Sequence, residues 1–114
     1  MRGRGAVAAL GLVLLAGAPA RAVDLERGAR LYARYCAGCH GPDGRGGAHT
    51  FMPHVENLTR KGYIELLPDE YLATVIREGG AAVGKSSYMP AWGGTLGEED
   101  IKNIIAHIRR LGVR

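Results

Sequence analysis

Apolar positions between residues 24 and 112 fall into three stripes with the period of an α-helix. In the first, Leu25, Gly28, Leu31, Tyr32 and Tyr35 share one face while arginines occupy the other, and Asp24 stands where an N-cap belongs. The second runs from Pro68 to Glu78, with Tyr71, Leu72, Val75 and Ile76 as its apolar face. Pro68 suits the first helical position, Asp69 and Glu70 suit the positive end of the helix dipole, and Gly79-Gly80 ends the segment. The third starts near Gly97. Glu98, Glu99 and Asp100 crowd its first turn, Arg109 and Arg110 its last, and Ile101, Ile104, Ile105, Ile108 and Leu111 form its buried stripe.

Between these stripes the pattern breaks down into loops. Residues 41–62 open with the turn signal Gly41-Pro42-Asp43-Gly44, and residues 79–94 form a Gly-rich loop carrying Tyr88-Met89-Pro90-Ala91-Trp92. Tyr63 to Leu67 is apolar but too short to assign. Gly28 in mid-helix costs about 1 kcal/mol relative to Ala, which predicts close approach of another helix there. No internal repeat is present.

Residues 1–22 read as a secretory signal peptide, with a domain following at 23–114. Arg2 and Arg4 precede an uncharged apolar run from Ala6 to Ala18, and small residues at Ala18, Ala20 and Ala22 offer cleavage sites. The run is short for a membrane span, so a membrane role is expected only if the segment stays uncleaved. Arg2, Arg4 and Arg21 leave with it, taking the net charge from +4 to +1. The basic balance of the full chain therefore gives no support to nucleic-acid binding. One small domain remains, and a domain of that size is marginal without additional core.

The chemistry is concentrated in Cys36-Ala37-Gly38-Cys39-His40. Two thiols separated by two residues and followed at once by an imidazole form the attachment pattern of c-type haem. A single helical turn presents both sulfurs to the vinyl-bearing edges of a porphyrin and aims His40 at the iron. Other readings fit less of the chain. A redox dithiol is expected near a strand–helix–strand pattern, whereas a helix precedes Cys36. Four-coordinate zinc needs further ligands, and there is no second Cys pair. A plain disulfide leaves His40 and Met89 without a role.

Haem iron bound by His takes a second axial ligand, and a Met sulfur there raises the reduction potential. Met89 lies 49 residues past His40, with a helix between, which is enough chain to cross the porphyrin edge. Met52 lies only 12 residues past His40 and is expected to stay on the proximal side. His49 and His54 read as surface histidines in a polar loop and, with Met52, are the alternatives to Met89 as second ligand, while His107 reads as a histidine packed beside the last apolar stripe. The second ring nitrogen of a metal-bound His usually donates to a carbonyl or carboxylate. The carbonyl of Pro53 is the expected acceptor, with Pro42 as the alternative.

Over roughly residues 24 to 112 the chain resembles a small bacterial monohaem class I cytochrome c. Gly28 and Tyr32 match the Gly and aromatic of that family's first helix, which pack against its last helix, here Ile104-Ile105-Ala106-His107-Ile108. The family usually has an aromatic where His107 stands and often a Ser cap where Gly97 stands. Tyr88-Met89-Pro90-Ala91-Trp92 resembles its axial-Met loop, and Asn57-Leu58-Thr59 the segment after its proximal proline.

The resemblance implies an all-α cytochrome c fold, three to four helices wrapped around one haem c held through Cys36 and Cys39, with His40 and Met89 as axial ligands. It implies a periplasmic one-electron carrier rather than an enzyme, docking transiently with redox partner proteins at the haem edge. The alternative is a dedicated cytochrome subunit, or the electron acceptor, of one periplasmic dehydrogenase or oxidase. A ligand-sensing or peroxide-reducing haem and a thiol oxidoreductase are further alternatives, and both fit the Met89 loop less well.

Overall fold

A computed structural model of the chain describes residues 22–47 and 55–113, together with Gly3, Gly5 and Gly11. All regular structure among the described residues is helical: α1 (Leu25–Tyr35), α2 (Ala37–His40), α3 (Asp69–Glu78) and α4 (Glu98–Leu111), with short 3-10 turns at Ile64–Leu66 and Ala81–Val83. None of these helices is long and apolar enough to cross a membrane.

The helix ends follow the chemistry of the chain. Asp24 caps α1 by accepting a 3.0 Å hydrogen bond from the Arg27 N–H. Pro68 turns out to be the N-cap of α3, with extended φ and ψ of −62° and 151°, so the helix proper begins one residue later than the sequence suggests. Gly97 precedes α4 without a side-chain cap, and the three acidic residues behind it supply the favourable charge at that end.

The core is built on the crossing of α1 and α4. Tyr32, Ile101 and Ile104 are at most 1% exposed. Burying an aliphatic side chain of that size contributes roughly 1.5–3 kcal/mol. Gly28 makes the crossing possible. A Cβ there would overlap the Asn103 carbonyl oxygen and come within 2.6 Å of its carbon. The ring of His107 lies 5.0 Å from that of Tyr32, tilted by 53°, so the histidine fills the place of an aromatic.

Polar contacts fix the same crossing. The buried Asn103 side chain accepts the Asp24 N–H at 3.0 Å, and Arg27 meets Asp100 at 2.7 Å. Leu72, Ala73 and Ile76 seat α3 in the core, and Arg77 holds Glu98 through two bonds of 2.7 and 2.9 Å. Near the end of α4, Arg109 binds Asp69 at 2.7 Å and the carbonyls of Ile64 and Leu67 at 3.0 and 2.6 Å. One guanidinium thus pins the 3-10 turn and the start of α3 to α4.

Candidate haem site

Cys36, Cys39 and His40 share the short helical turn that follows α1. Cys36 closes α1 through its N–H to Tyr32 O (2.8 Å) and opens α2, whose Cys39 and His40 amides both donate to its carbonyl at 3.2 and 2.9 Å. Gly41, at φ 83°, ends the turn in a conformation that strains residues bearing a Cβ. Its amide donates to Ala37 O (2.9 Å), and its carbonyl accepts the buried Tyr32 hydroxyl at 2.7 Å. Tyr32 therefore does more than pack. It ties the exit of the thiol-bearing turn back to α1.

His40 is positioned by the loop that follows. The Gly46 amide donates to His40 O at 2.7 Å and the Leu58 amide to Gly44 O at 2.7 Å, which ties Gly44, Gly46 and Leu58 to the end of the turn. His40 Nδ1 lies 3.3 Å from the Glu56 carbonyl oxygen. A carbonyl can only accept, so this contact places the ring proton on Nδ1 and leaves the lone pair on Nε2. Burial pushes the imidazole below its ordinary value, and the Glu56 contact opposes that only in part. The acceptor is thus Glu56, not Pro42. Pro53, the acceptor expected from the sequence, lies outside the described residues, as do His49, Met52 and His54. A backbone acceptor leaves no residue-type signature, which is why sequence reasoning missed it.

Both cysteines are free thiols, Cys36 buried and Cys39 half-buried. Burial, with a smaller contribution from Cys39, pushes the Cys36 thiol up to about 12. Redox dithiols and metal-binding thiols need accessible thiolate, and this setting disfavours it.

Met89 is half-buried against the same core that contains Cys36. Its segment is stitched to the end of α3: the Gly80 amide donates to Met89 O (3.1 Å), Trp92 to Ile76 O (2.9 Å) and Gly93 to Arg77 O (3.0 Å). The Trp92 ring lies 5.0 Å from Tyr35, the residue just before Cys36. The two segments that matter are therefore joined side chain to side chain, while Tyr88 next to Met89 is exposed.

A groove of about 420 Å³ lies between Leu58, Ile64 and the end of α4, and neither thiol, His40 nor Met89 lines it. The donor set, rather than that groove, marks the site. Two thiols on one turn, an imidazole with one nitrogen already engaged by a carbonyl, and a thioether among apolar side chains match what a covalent iron porphyrin requires.

Comparison with known proteins supports this reading. Residues 23–108 match the family model described as cytochrome c oxidase, cbb3-type, subunit III. The FixP subunit of the cbb3-type cytochrome c oxidase of Bradyrhizobium sp. (strain ORS 278) is 33% identical over 99 residues, covering 86% of this chain and 31% of that protein. The chain thus spans about a third of the length of the FixP subunits it matches. Cytochrome c6 of Picosynechococcus sp. (strain ATCC 27264 / PCC 7002 / PR-6) is 33% identical over 111 residues, covering 90% of this chain and 86% of that one. Among solved structures, the KustC0563 c-type cytochrome superposes with a TM-score of 0.62 at 23% identity, over 74% of this chain and 95% of that one, a likeness of fold.

Proposed function

Since the chain belongs to the cytochrome c family, matched over residues 23–108 by the cbb3-type oxidase subunit III model, we propose that it carries single electrons on one haem c joined to Cys36 and Cys39, with His40 and Met89 as axial ligands. When bound, the haem supplies one-electron oxidation and reduction at its iron. The chain's own residues do the rest. α2 sets the spacing of the two sulfurs, Glu56 O orients the His40 ring, and the end of α3 holds Met89. Tyr35 and Trp92 pack ring against ring between the thiol-bearing turn and the Met89 segment.

The observation that carries this reading is the pairing of one rigid turn, bearing both thiols and His40, with a Met89 segment fixed independently by backbone hydrogen bonds. Such a site needs little rearrangement when the charge on the iron changes. We place the protein in the periplasm, with residues 1–22 as signal peptide and 23–114 as the working domain. Its partners in this reading are redox proteins that dock transiently.

A second reading has a specific observation behind it. The FixP likeness favours a dedicated subunit or electron acceptor of an oxidase, and a stably co-purifying partner separates that from a free carrier.

The ligand assignment is tested with Met89→Ala made in cells competent for haem attachment. Intact mass shows haem retained, the reduction potential falls, and the reduced protein binds carbon monoxide. A variant with unchanged spectrum and potential moves the axial role to another residue.

A further inference from the structure

We propose that Gly80 is a positioning residue for the axial ligand: it closes the neck of the 80–89 loop by backbone contacts alone, so that Met89 is presented at a fixed place whether or not its sulfur is bound. This rests on Met89 being the ligand. Gly80 is buried and serves as a hub. Its amide donates to Met89 O at 3.1 Å, and its carbonyl accepts from Val83 (3.2 Å) and Lys85 (2.8 Å). The loop between residues 80 and 89 therefore starts and ends at one residue.

What Gly80 provides is space rather than backbone freedom. Its φ and ψ of −65° and −38° are ordinary helical values open to any residue. A Cβ added there would overlap the Ser86 carbonyl oxygen, with Ser86 C at 3.2 Å and Met89 Cβ at 3.3 Å. The obstacle is loop backbone, which cannot turn aside as a long side chain can. Gly79 differs. Its φ of 87° makes any substitution strained, so it cannot separate crowding from conformation. Gly80→Ala therefore probes one thing, the fit of the neck.

The neck is made of amides and carbonyls, and none of its bonds involves the sulfur. It continues as a seam through Trp92 to Ile76 and Gly93 to Arg77. Prying the neck apart moves Met89 away from the core without touching the thiol-bearing turn, which is anchored through Tyr32 and Glu56. Met89 is thus held by the packing of its segment against the end of α3, and a single methyl group at residue 80 would dislodge it from where it would meet a bound haem.

The test uses haem-loaded Gly80→Ala beside Met89→Ala and Gly94→Ala, a glycine whose added Cβ would meet nothing within 4 Å. Gly80→Ala keeps its haem by intact mass and its helicity by circular dichroism. Its oxidised form loses most of the sulfur-to-iron charge-transfer band, and its reduced form binds carbon monoxide about tenfold or more better than wild type as the open fraction rises. Gly94→Ala stays like wild type. A Gly80→Ala protein with the wild-type band and wild-type resistance to carbon monoxide overturns the proposal, given that Met89→Ala has lost the band. If Met89→Ala itself keeps the band, the ligand assignment fails, and this inference with it. A second measurement stands apart from the folding of Gly80→Ala: hydrogen exchange at the Gly80 amide in Met89→Ala. Protection retained there supports a neck that owes nothing to the sulfur, and protection lost refutes it.

Discussion

Replacing Gly28 with Ala sets two effects of opposite sign against each other. As a mid-helix change it removes the penalty of glycine and favours α1 by about 1 kcal/mol. As a packing change it inserts a methyl group where the backbone of α4 already lies. The Asn103 carbonyl carbon would sit at 2.6 Å and Ile104 N at 3.3 Å, inside the 3.4 Å where ordinary contact begins. Neither atom can swing away, so the helices must part. Overpacking of a well-filled core costs roughly 1–3 kcal/mol, and a backbone obstacle belongs at the upper end of that range. Parting the helices also stretches the bond from Asp24 N–H to the Asn103 side chain, now 3.0 Å, worth about 1 kcal/mol. The exposed Arg27–Asp100 pair contributes little to the balance. The net expectation is a loss of about 2–3 kcal/mol. For a domain this small each kcal/mol shifts the melting temperature by roughly 4–8 °C. Thermal unfolding of the haem-loaded protein by circular dichroism measures it, with Ala33→Gly on the exposed face of α1 as the pure propensity control, expected to lose about 1 kcal/mol. A Gly28→Ala protein as stable as wild type, or more so, would refute the close-crossing argument, because the propensity effect would then have won.

Tyr32→Phe keeps the ring in the core but leaves the Gly41 carbonyl without its 2.7 Å donor. A loss of about 1–3 kcal/mol in denaturant unfolding is expected, and no change would show that Gly41 finds another donor. Replacing both Cys36 and Cys39 with Ala should leave little folded protein, because a domain this small has a limited core of its own. A cooperative melt of that variant by circular dichroism would contradict this. Arg77, chiefly by its hydrogen bond, holds the Glu98 carboxyl below its ordinary 4.5. The resulting stabilisation is present above pH 4.5 and is lost as the pH falls through the depressed folded value. The gap in melting temperature between wild type and Glu98→Gln should therefore be widest at neutral pH, close on acidification and shrink with salt. A gap that persists unchanged to about pH 2 would assign it to something other than the ion pair.

What the sequence made legible is what side chains announce. The periodicity of α1 and α4, the Asp24 cap and the Gly28–Tyr32 pair facing Ile104 all follow from residue types at fixed spacings, and the structure has them. The Cys36–His40 turn is legible for the same reason. Contacts made by main chain were not. The Glu56 carbonyl under His40 could have belonged to any residue of that loop, and nothing in the sequence distinguishes it from Pro53 or Pro42. The 3-10 turns at 64–66 and 81–83 are too short to have a period. Arg109 was readable as a charge suited to the end of a helix, whereas its three partners are set by how α4 lies against the 64–69 segment. Gly80 was readable as a helix stop, and its crowding by Ser86 depends on the path of the loop.

The clasp between α1 and α4 brings together groups as far apart in the sequence as Asp24 and Asn103. An interface of that kind has no half-built form. As the polypeptide emerges, α1 has nothing to close on until α4, with Arg109 in its last turn, is made. Until then the core cluster that buries Cys36 to 8% exposure is incomplete. The last helix to be made is thus the one that completes the enclosure of the first cysteine.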